Sequence, residues 1–545
     1  MRSFLTFCIG LFAITVSSQF QNSTNTTVPT APTSNGTYYG VHHPNWHQDF
    51  FEGIPYAQPP TGSRRFREPQ LLNTSWTGQK NATVLGSMCF GYGATQMVLG
   101  QFISEDCLTL NMYRPSNVSS SKGLLPVAVY IHGGLFEHGT GRDPRYNMTS
   151  LLQVGVQNGQ EFIGGVANLG LKDQRLALRF LKENIEAFGG DPERITIWGQ
   201  EAGAFSAGLQ LLAYGGRDDG LFQGAILQSG SPTLMWPSVT ADDWQPLYDQ
   251  FVNATNCSAS TNTLDCLRSV NADVLSSVFD SDITTDDHPN PVVDGDFIQD
   301  LGSREMQAGH FVRMPLILGT TRDEGTWQHY VVKNINTTDE FLNMVRDDGL
   351  SKDAANEISR LYPDEPHQGI PATLKGRPGN ETGLGYQWKR TSAYTGDMIM
   401  QAGRRLASQV WAGNDVDVYS YVYDVLFHAH WWQAGSQEQD DIAFLFHNVM
   451  LSEALSPSDQ ADQKYTFEPL SYLMCSMWIS FFHTFDPYYH PVNGTNVWPK
   501  YNANSPENFV FDVNATELSR SETDDFRSEA ISHWIDLFST NEYPK

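Results

Sequence analysis

Residues 195–206 read Ile-Thr-Ile-Trp-Gly-Gln-Glu-Ala-Gly-Ala-Phe-Ser, and no other stretch constrains the fold of this chain as much. The first residues alternate as a buried strand should, and the last ones open a helix expected to run to Tyr214. Between them, Gly199-Gln200-Glu201-Ala202-Gly203 must turn so tightly that only small residues fit around the centre. This is the strand–turn–helix shape written G-x-S-x-G, which holds one side chain at the top of a sheet. The central residue here is Glu201, not Ser.

A chain of 545 residues buries a large core, as one big α/β domain or several smaller ones. Its 61 acidic and 34 basic residues give a formal charge of −27. Such a surface repels phosphate backbones and anionic lipid, which argues against a nucleic-acid partner. Residues 1–18 read as a secretory signal: Arg2 starts it, an apolar run follows, and Val16-Ser17-Ser18 offers a cleavage site. No later run is long and apolar enough to span a bilayer, so no membrane anchor is expected. Residues 19–38 are rich in Asn, Ser, Thr and Pro, and are expected to form a disordered, glycosylated leader before a single domain over residues 39–545. Sequons at Asn73, Asn81, Asn117, Asn380 and Asn514 fit a glycosylated export.

Cys8 leaves with the signal. In an oxidising compartment Cys89 and Cys107 are able to close one loop and Cys257 and Cys266 another. Cys475, in an apolar run, reads as an inert core thiol. No cysteine–histidine spacing suggests a metal, and no cofactor is implied. Leu125–Ile131 is a continuous apolar run delivering His132-Gly133-Gly134, as a buried parallel strand would. Residues 171–188 carry apolar positions at helical spacing, and further strands are expected over 224–230 and 315–319. Strands alternating with helices predict a mostly parallel sheet flanked by helices. From Asp339 onward the pattern is mainly helical and aromatic, closing on a helix near residues 528–538.

Several motifs then stand in a telling order: Gly53-Ile54-Pro55-Tyr56-Ala57, Ser104-Glu105-Asp106-Cys107, His132-Gly133-Gly134, Asn168-Leu169-Gly170-Leu171, and Asp323-Glu324-Gly325-Thr326. Together they resemble the type-B carboxylesterase/lipase family, the cholinesterase-like α/β-hydrolases, and its secreted fungal esterases most of all. The resemblance implies an α/β-hydrolase fold and an ester hydrolase with Ser, Glu and His in that chain order. The Ser position falls on Glu201. The acid position falls on Glu324. The His position, set by the match of Asp441-Ile442-Ala443-Phe444-Leu445-Phe446, falls on Glu438, with His428, His430 and His447 nearby but out of register. Ser206 lies more than a helical turn past the elbow and reads as a residue bonding back to its own helix. The oxyanion donors fall on Gly134, Leu135 and Ala202, with Leu135 where the family has a third glycine.

One more departure concerns the sheet. Residues 156–165 run almost directly into Ala167, where the family has an apolar strand and an Asn-Tyr-Arg turn. The expectation is a missing interior strand, hence either a rebuilt sheet or a wrongly joined gene model. Three carboxylates, Glu201, Glu324 and Glu438, should converge on one cleft, and at least one should titrate high. Three readings follow: a catalytically silent hydrolase fold; an acid/base enzyme performing cyclisation or elimination on a small metabolite; and residual ester hydrolysis through another Ser and His. A small apolar or ester-like ligand suits an aromatic gorge to which Trp431 and Trp432 contribute. Ligand identity and oligomeric state are not written in the sequence.

Overall fold

The computed structural model describes residues 28–545 apart from residues 93–101, 117, 119–122, 168–169, 238–240, 282–289, 328–332, 380–381, 428–432 and 450–456, and the side chains of 167, 241 and 457–466. Its centre is an eleven-stranded sheet in the order β14-β13-β12-β11-β10-β9-β7-β8-β6-β4-β3. The strands on the nucleophile side are β7 (Leu125–Ile131), β8 (Ile163–Ala167), β9 (Gly190–Gln200), β10 (Gly224–Gln228) and β11 (Leu316–Thr321). Beyond them come β12 (Val418–Tyr423), β13 (Glu507–Phe511) and β14 (Ser519–Thr523). The other edge is built from β6 (Thr109–Pro115), β4 (Gln48–Pro55) and β3 (Val41–His43). Pairing is parallel from β8 through β7 and β9 to β13, and antiparallel at both flanks.

The alternation of side chains across each strand explains why both faces are covered. On β7, Val127, Val129 and Ile131 join one buried cluster while Ala128 and Tyr130 join another on the opposite face. On β9, Ile195 and Ile197 point to the first and Trp198 to the second. Helices α1 (Thr149–Asn158), α2 (Leu171–Asn184), α3 (Ala202–Gly216), α4 (Ala402–Gly413), α5 (Pro457–Thr484) and α6 (Ser528–Phe538) are among those that flank the sheet. The run over 125–131 and the closing helix over 528–538 fall where the sequence placed them. Helical geometry in α3 ends two residues before Tyr214, since Ala213 takes ψ 132° and Tyr214 φ 55°.

Three expectations are corrected. The interior strand is not missing: β8 lies between β6 and β7, antiparallel to the first and parallel to the second. Its sequence Ile-Gly-Gly-Val-Ala hides it, because two adjacent glycines read as a connector. The backbone ladder nevertheless needs no side chain, and at Gly164 there is room for none: a Cβ would stand 2.4 Å from Met148 Sδ. The described part of the leader is also ordered. β1 (Thr30–Pro32) pairs antiparallel with β2 (Thr37–Tyr39), which pairs with β5 (Gln79–Asn81), and Ala31 at the centre of β1 is fully buried. Polar composition concealed a small sheet that only needs every second residue buried. Finally, the helical region after Asp339 contributes β12, β13 and β14 to the sheet.

Candidate active site

The elbow forms at the C-terminal end of β9, among parallel strands, where open α/β sheets present their ligands. Glu201 takes φ 54° and ψ −123°, a strained conformation for a side chain of its size. Its backbone over-determines that strain: the N–H donates to Gln228 O at 2.9 Å, and the carbonyl accepts from Ala204 and Phe205 at 2.8 and 2.9 Å. Both flanking glycines are required. A Cβ on Gly199 would lie 2.3 Å from the Gly203 carbonyl carbon, and one on Gly203 would lie 2.0 Å from Ile131 O.

The Glu201 carboxylate does not face open solvent; the residue is 1% exposed. Its Oε2 accepts hydrogen bonds from the backbone N–H of Gly134 at 2.5 Å and of Leu135 at 3.0 Å. Those are two of the three groups expected to form an oxyanion hole. Leu135 reaches the geometry although it is no glycine, by adopting φ 57°, with Phe136 following at φ 60°. The third expected donor residue, Ala202, starts α3 and lines a cleft described below.

Glu324 opens a short 3₁₀ turn, Glu324–Thr326, after β11. Its Oε1 accepts from Ser229 Oγ at 2.6 Å and from the Thr321 N–H at 2.7 Å, and its Oε2 has no hydrogen-bond partner among the described residues. Burial pushes its carboxyl up to about 8, against the lowering effect of those two bonds. Glu438 is equally buried and sits ahead of the short helix Ile442–Leu445. One of its oxygens accepts from Gln200 Nε2, and the other has no partner among the described residues. Burial raises its carboxyl far above the usual range, and the charges of Glu201, Glu324 and Asp441 raise it further. Neither Glu324 nor Glu438 forms an ion pair with a described residue. With no cation among the described residues beside them, burial favours the protonated form of both carboxyls.

Sequence reasoning missed the residues that hold this arrangement. Gln200, one position before Glu201, joins the elbow to Glu438. Asp441 accepts from Gln228 Nε2 and Tyr421 OH, both at 2.9 Å, and burial raises its carboxyl too. Asp323, beside Glu324, is pushed up by burial to about 7. The only available signal was acidic residues inside otherwise apolar motifs. Of the nearby histidines, His447 bonds Ser471 Oγ at 2.8 Å, while His428 and His430, like Trp431 and Trp432, lie outside the described residues.

A cleft of about 620 Å³ opens beside the glycine loop, walled by His132, Gly133, Phe136, His138, Ala202 and Ser206, with the Cys89–Cys107 disulfide at its edge. None of the three glutamates lines it. Both expected disulfides are formed, Cys89–Cys107 and Cys257–Cys266. Cys475 is buried, with its thiol directed at the carbonyls of Phe444 and Leu445, and burial pushes its pKa up, as befits an inert core thiol.

A tight strand–turn–helix elbow at the C-terminal end of a mostly parallel, helix-flanked sheet, with a glycine loop against it, defines the α/β-hydrolase class of fold. Within it, the chain belongs to the carboxylesterase family, whose sequence profile matches residues 27–158 and 160–530. It is 30% identical over 552 residues to "Lipase 1" of Geotrichum candidum, covering 89% of this chain and 92% of that one. It is 30% identical over 461 residues to "Secreted triacylglycerol lipase LIP1" of Gibberella zeae, covering 75% and 76%. "Secreted lipase 1" of Botryotinia fuckeliana is also 30% identical, over 518 residues and 83% of each chain. The crystal structure of Aspergillus niger EstA superposes with a TM-score of 0.79 at 25% identity, covering 94% of this chain and 98% of that one. The extracellular location read from the sequence agrees with relatives named as secreted. No helix among the described residues is long and apolar enough to cross a membrane.

Proposed function

We propose that this chain is a secreted carboxylesterase-family protein in which ester hydrolysis is switched off, leaving a fold that binds a small apolar or ester-like ligand in the cleft beside Ala202. One observation carries the reading: the Glu201 carboxylate occupies the two backbone N–H groups that would otherwise receive a substrate oxyanion. Hydrogen bonds to a charged acceptor contribute about 1.5–3 kcal/mol each, so an ester carbonyl, which carries no full charge, competes poorly for them. A carboxylate is also a weak acyl nucleophile, and its attack on an ester gives an anhydride instead of an acyl-serine. Glu438, in the histidine position, has its carboxyl raised by burial and by the charges of Glu201, Glu324 and Asp441, which favours the protonated form and leaves a carboxyl unsuited to act as the base.

A second reading rests on the same pair. Glu438, whose protonated form burial favours, and Glu201, held by two backbone N–H groups, share one shielded site, an arrangement of the kind used in proton transfer. A third rests on the cleft, whose lining includes Ser206, His132 and His138. A panel of short- and long-chain esters, offered to the purified protein, to Glu201→Ala, to Ser206→Ala and to Glu201→Ser/Glu438→His, separates them. The switched-off reading expects no turnover in the natural protein and activity in the double revertant. Natural turnover lost in Glu201→Ala would make the glutamate catalytic, and turnover lost only in Ser206→Ala would move the chemistry to the cleft.

A further inference from the structure

A second cleft, of about 570 Å³, shares no lining residue with the first. It opens between the end of α1 and the loop that follows α5, with Gln160, Tyr488, Tyr489, His490 and Asn493 on its walls. Its size falls in the roughly 300–1,000 Å³ range of pockets that hold small ligands. Tyr488 and Tyr489 are 43% and 63% exposed, an unusual investment of two large rings at one surface position. Their centroids stand 6.3 Å apart at 65°, so they present two differently tilted platforms. Gln160 Nε2 donates to the Tyr489 carbonyl at 3.0 Å and holds the loop against α1. Gln160 Oε1 and both ring nitrogens of His490 have no hydrogen-bond partner among the described residues. Those atoms are buried, so what the site offers a ligand is its exposed aromatic faces, which suit the apolar C–H faces of a sugar.

The rim supplies the source of such a ligand. Asn493-Gly494-Thr495 is an Asn-X-Thr sequon, and Asn493 is exposed. Gly494 takes φ 71° with nothing within 4 Å of where a Cβ would stand, so the loop tip is open. Another sequon, Asn147-Met148-Thr149, shows the contrast: there the Asn oxygen is committed to the Thr149 N–H at 2.9 Å. The Asn493 side chain makes no hydrogen bond with a described residue.

We propose that Asn493 is N-glycosylated and that the innermost sugars of its glycan lie in this cleft against Tyr488 and Tyr489. In the transfer, the Asn493 amide nitrogen bonds the anomeric carbon of a lipid-diphosphate-linked oligosaccharide. The carbon–oxygen bond to the diphosphate breaks, and the amide gives up one proton as the lipid diphosphate leaves. The pyranose C–H faces then cover the tyrosine rings. The glycan becomes a cover that ties the α1 end to the loop after α5.

The test uses the full chain secreted from a eukaryotic host. Mass spectrometry of the peptide containing Asn493 should find an N-linked glycan that is absent in Thr495→Ala. Enzymatic release of that glycan from the native protein should be roughly tenfold faster in Tyr488→Ala/Tyr489→Ala than in the natural protein, the ratio that about 1.4 kcal/mol of contact produces. If the double variant is not secreted, Tyr489→Ala alone is read the same way. A bare Asn493 overturns the proposal, and so do equal release rates. A soluble oligosaccharide that binds protein with a bare Asn493, in a manner lost with the tyrosines, would likewise replace it by a site for free carbohydrate.

Discussion

The charges of Glu201 and Glu324 both raise the Glu438 carboxyl, and this buried group of carboxyls has a pH signature. The three were expected to converge on one cleft, but none of them lines the cleft beside Ala202. Glu324 titrates near 8 when folded, against an ordinary 4.5, and Glu438 is raised even more strongly, in each case first by burial. The folded chain thus binds more protons than the unfolded chain above about pH 4.5, and stability must fall as pH rises through the folded values. The stability these groups contribute is complete below pH 4.5 and lost progressively through about 8 for Glu324, at most about 1.4 kcal/mol per pH unit for each group. Melting temperature should be higher at pH 5 than at pH 8. Glu438→Gln keeps an acceptor for Gln200 and removes the ionisation, so it should flatten that slope and raise the melting temperature at pH 8. An unchanged slope in this variant would place the titration elsewhere. The three glutamates were legible because each lies in a short motif with its own local spacing. Gln200 as the link was not, since its partner lies 238 residues away and only the folded sheet brings them together. Nor was the contact of Glu201 with the Gly134 and Leu135 N–H groups, which depends on Leu135 accepting a left-handed backbone that its side chain disfavours.

At the level of elements, the elbow and β8 were read with unequal success for one physical reason. The elbow depends on where a Cβ would collide, and glycines at fixed offsets advertise that directly. β8 depends on a backbone ladder between two neighbours, which leaves no mark in side-chain pattern. Adjacent glycines of β8 point to opposite faces and should answer differently to the same change. Gly165→Ala meets only backbone oxygens at 3.6 and 3.9 Å, and should be neutral or stabilising by about 0.5–1 kcal/mol, since alanine loses less chain entropy. Gly164→Ala drives against Met148, itself fully buried, and should cost about 1–3 kcal/mol. Chemical denaturation of the pair measures both. Gly203→Ala should be worse than either, because the obstacle there is the Ile131 carbonyl in β7, which cannot rotate away.

Across the whole molecule, the far end of the sheet is fastened by charge. Arg404 on α4 is fully buried, and it reaches Asp524 at 2.8 Å together with Ser420 on β12 and Asn508 on β13. Arg405 joins the same carboxylate at 2.7 Å, and the two guanidinium groups overcome burial to hold Asp524 well below the usual range. Asp524→Ala should cost about 3–5 kcal/mol, because it strands two buried cations. The unfolding transition would report it, and a loss under 1 kcal/mol would mean that water or neighbours take over. The general architecture was legible early, from motif order and alternating elements, whereas this fastening joins side chains more than a hundred positions apart. The glutamate at the elbow has its own consequence at this scale. When an esterase finishes a turnover, the acid product rests with a carboxylate oxygen in the oxyanion hole. Here the side chain of Glu201 supplies a carboxylate oxygen to the Gly134 and Leu135 N–H groups, and being part of the chain it is unable to diffuse away. Serine-directed phosphonates, which mimic the tetrahedral intermediate of ester hydrolysis, should therefore leave residue 201 unlabelled, as mass spectrometry of the elbow peptide would read.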